Sequence, residues 1–203
     1  MIKLGLTEEY NKILDFIPKR HLHGLEHIIR SERNEFAKLA SSIGNISEEE
    51  AENFIQSIGE SNTAFYARGA IFLDKSKATP LIFSHEIGHH VWKYTYRFNP
   101  YPKIKCYFES LRLRALYNIK KLTGEIKNTN RYTKEVKEKN IRFGDLRVPS
   151  IVDFKICDRA INYATKPAEI FARNYALGIA KKMNPEVFHK WRNKYSKRST
   201  STL

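Results

Sequence analysis

Thr79-Pro80-Leu81-Ile82-Phe83-Ser84-His85-Glu86-Ile87-Gly88-His89-His90-Val91-Trp92 is the stretch on which the reading of this chain turns. Its beginning has the chemistry of a helix start. The Thr79 hydroxyl can accept from an orphan amide of the first turn, and Pro80 at the first helical position gives up no useful donor. Apolar residues recur through the stretch, and no further proline intervenes until Pro100. At about 100° per residue, His85 and His89 lie on one face, one turn apart, so both imidazoles can aim a nitrogen at one ion. Glu86 falls at the edge of that face, within reach of a water on the ion without being a ligand. This is the H-E-x-x-H arrangement of two zinc ligands and a general base. The same five residues can also occur by chance on a packed helix, but the capped, amphipathic setting is the one the chemistry requires.

A catalytic zinc takes a third protein ligand and keeps a position for water. An extension to a third histidine on the same segment is absent, because Trp92 and Thr95 stand where a glycine and a histidine would be needed. His90 points about 100° away from His89, and His189 lies in a basic C-terminal segment. His21, His23 and His27 could cluster on one strand face by alternation, but a polar strand surface is the better reading of them. Glu169, in Thr165-Lys-Pro-Ala-Glu169-Ile-Phe-Ala-Arg173, is the best candidate. Pro167 fixes a helix start and puts Glu169 in the first turn, on the side that carries Ala172, Ala176 and Ala180. Such small residues let helices approach closely. Alone, Glu169 reads better as a carboxylate favoured by the helix dipole and paired with Arg173. Beside H-E-x-x-H, ligation is the better reading.

The chain of 203 residues is long enough for a substantial core, and 41% apolar and 12% aromatic content argue against general disorder. No run is long enough to span a membrane, and acidic Glu8 and Glu9 interrupt the N-terminus before any apolar core of a secretory signal. Cys106 and Cys157 suggest no disulfide framework, so the expected compartment is a reducing cytosol, of the producing or a target cell. The net charge of +14 is uneven: residues 1–84 carry −2, 103–147 carry +8 and 181–203 carry +6. That asymmetry suits a polyanionic partner, nucleic acid or an acidic protein surface, as well as plain solubility.

Thr7 to Ile17 reads as a short capped helix stopped by Pro18, and Leu25–Arg30 as a strand. Ser47-Glu-Glu-Glu50 opens a helix with a capping box, its apolar side formed by Ala51, Phe54, Ile55 and Ile58, and Gly59 ends it. Thr63–Asp74, broken at Arg68-Gly69, reads as two antiparallel strands or one bulged strand. Ending just before the histidine helix, the pair can lay an edge strand along a cleft that holds extended peptide. Lys103 to Leu122 has helical periodicity through Ile104, Tyr107, Phe108, Leu111, Ala115, Ile119 and Leu122, and Gly124 is placed to stop it. Ser150 to Tyr163, Pro167 to Met183, and a segment opened by Asn184-Pro185 complete the predicted helices.

Ser84-His-Glu-Ile-Gly-His89 together with Pro167-Ala-Glu-Ile-Phe-Ala172 resembles the gluzincin-type metallopeptidases with a compact core, the ImmA/IrrE-like and anthrax-lethal-factor-like groups. In these a late helix with an E-x-F-A motif supplies the third ligand. The resemblance covers residues 60–96 and 150–180. It implies Zn²⁺ held by His85, His89 and Glu169, Glu86 as general base, and a small sheet packed on the active-site helix. It also implies a tyrosine upstream of the ligand glutamate that steadies the tetrahedral intermediate, and Tyr163 stands near that place. About eighty residues separate His89 from Glu169, more than a compact core needs.

The expectation is therefore an α+β fold, mostly helical, with a small antiparallel or mixed sheet on the active-site helix. Residues 1–203 form one metallopeptidase domain, with 103–148 a helical, basic insertion and 196–203 a disordered tail. The expected activity is zinc-dependent endopeptidase action on a protein or peptide, with no membrane partner. The alternative is a nucleic-acid-binding basic protein, using 103–147 and the tail, with a structural or vestigial metal site.

Overall fold

The computed structural model describes residues 1–58, 63–94, 100–123, 140–143, 146–149 and 165–186. The chain divides into two compact units, Met1–Thr95 and Tyr96–Leu203. As the sequence predicts, the class is α+β, mostly helical around a small mixed sheet.

In the first unit the order is β1 (Ile2–Leu4), α1 (Glu8–Asp15), β2 (His27–Ser31), α2 (Phe36–Gly44), α3 (Glu48–Ile58), β3 (Ala64–Ala67), β4 (Ala70–Asp74) and α4 (Pro80–Tyr94). The strands lie in the order β1-β2-β4-β3. β2 runs parallel to both β1 and β4, and only β3 and β4 pair antiparallel. β4, Ala70-Ile-Phe-Leu-Asp74, is buried at every position, which is why it reads as an unbroken apolar run rather than an alternating one. Alternation still divides its side chains between two faces. Ala70 and Phe72 join Ile29, Phe36, Ile55 and Phe65 in one cluster, covered by Leu39, Ala40 and Ile43 of α2. Within it Phe65 and Phe72, paired across the hairpin, stack with centroids 4.8 Å apart. Ile71 and Leu73 point to the other face, on the side where α4 packs against β3 and β4. The Tyr10 ring of α1 meets Phe83 of α4 at 5.6 Å.

The predicted break at Arg68-Gly69 is a two-residue hairpin loop between Ala67 and Ala70, with φ of 44° and 84°. Positive φ at both positions is the turn whose twist matches that of the strands. The Gly69 carbonyl accepts from the amides of Glu26 and His27, so the loop is also fastened to the start of β2. The predicted capping box is present: the Glu50 amide donates to Ser47 Oγ and the Ser47 amide to the Glu50 carboxylate, both at 3.1 Å. Ala51 and Ile55 are buried as expected, whereas Phe54 lies at the margin, edge-on to Phe65. Thr7 holds the N-cap position of α1, but its carbonyl, not its hydroxyl, takes the Asn11 donors.

In the second unit α5 spans Tyr101–Leu122, β5 (Asn140–Phe143) and β6 (Leu146–Pro149) form an antiparallel ribbon, and α6 spans Pro167–Met183. α5 packs against α6, and Arg114 donates from Nε to Thr165 Oγ1 at 3.1 Å. The face of α5 that is buried is not the one its apolar periodicity predicts. Cys106, Ser110 and Tyr117 are buried, while Ile104, Tyr107, Phe108, Leu111, Ile119 and Leu122 are exposed. α6 behaves as read: Pro167 is in its first turn, and Ala172, Ala176 and Ala180 are buried.

Candidate metal centre

α4 is positioned at its first turn. The amide of Ile82 reaches Thr79 Oγ1 at 3.4 Å and that of Phe83 donates to the Thr79 carbonyl at 3.0 Å. Leu81, Phe83, Ile87 and Val91 then bury one side of the helix and fix its rotation. His85 and His89 fall together on a half-buried side, their Nε2 atoms 3.1 Å apart and their rings nearly perpendicular.

A carboxylate oxygen of Glu169 and one ring nitrogen from each of His85 and His89 all lie within 4.8 Å of one another. Glu169 sits in the first turn of α6 and is 9% exposed. An ion with tetrahedral bonds of about 2.05 Å keeps two nitrogen ligands about 3.3 Å apart, close to the observed imidazole spacing. Two imidazoles and a carboxylate are a donor set that suits zinc among borderline cations and does not suit calcium or magnesium, which favour all-oxygen shells. Among the described residues this is a group that could hold a metal ion, and it consists of the three residues that the sequence singles out.

Glu86 is outside the group of three and is 7% exposed, one position round the helix from His85. His90 turns inward, as its helical position predicts, and is fully buried. Its Nε2 donates to the His23 carbonyl at 2.9 Å. That acceptor leaves Nδ1 of the neutral ring to receive the Tyr66 hydroxyl, 3.4 Å away. The Gly69 amide in turn donates to Tyr66 Oη at 3.2 Å. Burial lowers the pKa of His90, with the His23 carbonyl opposing, and so favours the neutral ring this network needs. Burial and the neighbouring Tyr94 raise that of Tyr66, which stays a phenol. The network ties the hairpin and the loop before β2 to the helix at the residue next to His89. Sequence reasoning missed Tyr66, although alternation offered the signal: with Phe65 in the apolar cluster, Tyr66 must face α4.

The single strand face on which His21, His23 and His27 would lie, as cluster or as polar surface, does not form. His21 is buried in a short 3₁₀ turn, Lys19–Leu22, and His23 follows that turn, so only His27 is in β2. Pro18 and Gly24, with φ of 76° at the glycine, turn the backbone where the alternation argument needs it straight. Tyr163 and His189 lie outside the described residues. No helix among the described residues is long and apolar enough to cross a membrane.

Comparison with known proteins adds no relative to this geometry: no family model, curated protein or solved structure matches the chain.

Proposed function

We propose that this chain is a zinc-dependent endopeptidase. The observation that carries the reading is the convergence of His85, His89 and Glu169 donor atoms within 4.8 Å of one another. Bound there, Zn²⁺ supplies Lewis acidity and brings the pKa of a coordinated water toward neutrality.

The chain's own residues supply the rest. Glu86 acts as general base, taking a proton from the attacking water and passing it to the amine nitrogen as the peptide bond breaks. Its burial beside His85 limits competition from bulk water for that proton. β3 is the edge of the sheet and packs beside α4, so its outer main chain can pair with an extended peptide and hold the scissile carbonyl near the histidine face. Tyr66, bonded to His90, keeps that strand in register with the helix. Tyr163 is the candidate for steadying the oxyanion.

The test is the substitution Glu86→Gln assayed on denatured protein substrates with metal content measured in parallel. The expected variant binds zinc as the parent does and loses cleavage by a factor of about 10² or more. Full cleavage by Glu86→Gln would refute the mechanism.

A further inference from the structure

α5 presents an apolar stripe to solvent along its whole length. Ile104, Phe108, Leu111, Ala115, Ile119 and Leu122 recur every three or four residues and occupy an arc about 80° wide at 3.6 residues per turn. Phe108 is 68% and Leu122 87% exposed. A stripe of mostly large apolar side chains is not how a helix usually meets water, and such patches mark interaction sites. The opposite face, with Cys106, Ser110 and Tyr117, is the one buried in this unit.

Charge identifies the occupant. Between Tyr101 and Ile119 the helix carries Lys103, Lys105, Arg112 and Arg114 against the single carboxylate of Glu109, which is already bound by Arg112 at 2.7 Å. The cations flank the stripe on both sides, Lys103 and Arg114 on one margin and Lys105 and Arg112 on the other. A second copy of this helix would set cations against cations along both margins of a shared seam, which disfavours self-pairing. An apolar surface rimmed by carboxylates is complementary both to the stripe and to the net positive charge along its margins. We infer that α5 is a docking helix for an acidic partner protein, seated stripe-down on a hydrophobic surface with an acidic rim. The inference does not depend on the peptidase reading.

The experiment uses the full chain and four probes followed by fluorescence anisotropy or co-sedimentation. They are a labelled 22-residue synthetic helix with Leu on one face and Glu on its margins, the same peptide with Lys replacing Glu, a single-stranded oligothymidylate, and vesicles of phosphatidylcholine with phosphatidylserine. The acidic peptide is expected to bind most tightly. Phe108→Ser is expected to weaken it about tenfold or more, as loss of a central anchor does, and Lys105→Glu to weaken it with a reduced salt dependence. Both side chains are exposed, and circular dichroism verifies that the variants keep their fold. Equal binding of the acidic and basic peptides, or no binding of either, overturns the inference. So does tighter binding of the oligonucleotide or the vesicles. A dimer in sedimentation that Phe108→Ser dissolves would assign the face to a second copy instead.

Discussion

Replacing Glu169 by Ala should uncouple zinc from the stability of the fold. If His85, His89 and Glu169 share one ion, zinc at 100 times its dissociation constant stabilises the native chain by about 2.7 kcal/mol. For a chain of this length, about 2–4 °C per kcal/mol converts that into a rise in melting temperature of about 5–11 °C. The imidazole pair alone, with Nε2 atoms 3.1 Å apart, still offers two donors, so the variant should bind weakly rather than not at all. A loss of about 100-fold, the upper end for disturbing even the outer partners of a site, leaves about 0.4 kcal/mol at the same zinc concentration. The shift then shrinks to about 1–2 °C. The assay is thermal unfolding in chelator and in a fixed excess of zinc for the parent, Glu169→Ala, His85→Ala and the control His23→Ala, whose side chain is exposed. A full zinc shift in Glu169→Ala would show that this carboxylate is no ligand, and the endopeptidase reading would fall with it.

Three further outcomes are expected. Gly5 has φ of 69°, and a Cβ there would stand 2.1 Å from the Arg30 carbonyl oxygen, so Gly5→Ala must push β1 off β2; denaturant melts should show a loss of about 2 kcal/mol or more. Ser47→Ala removes one half of the capping box at the start of α3 and should cost about 1 kcal/mol by the same measurement, with Ser47→Gly costing less. Burial of Asp74 opposes its ionisation, but the hydroxyl and amide of Ser76, with Lys77, outweigh it and hold the carboxyl below its ordinary value of 3.8. Its contribution to stability is therefore complete above 3.8 and lost as pH falls through that value toward the lower folded one; acid titration of the parent should show this loss and Asp74→Asn should not.

Much of the site was legible because its signals are local. Thr79-Pro80 declares where α4 begins, the four-residue spacing puts His85 and His89 on one face, and Pro167 fixes the turn that carries Glu169. The hairpin at Arg68-Gly69 and the capping box at Ser47 are likewise written within a few residues. What escaped depends on partners distant in sequence. β1 is three residues long and is a strand because β2 lies beside it. α2 escaped although Phe36, Leu39, Ala40 and Ile43 carry a helical period and Gly44-Asn45 a C-terminal signal, with Asn45 left-handed at φ of 49°. The buried side of α5 inverted the reading because periodicity identifies an apolar stripe but not whether anything covers it, and Cys106 and Ser110 are small residues that signal close packing only once a second helix is in place.

Five residues join β4 to α4, and little of that connection is slack. The Asp74 carbonyl takes the amides of Lys77 and Ala78, the Lys75 amide is anchored on Ser31, and the Tyr10 hydroxyl clasps the Ala78 carbonyl at 2.7 Å. The angular phase of the histidine helix is thus inherited from the central strand. With those bonds kept, one residue added there would advance α4 by about 100° and 1.5 Å and turn both imidazoles away from the face they now share. Length in this short joint thus bears on the candidate centre as much as the identity of its donor side chains.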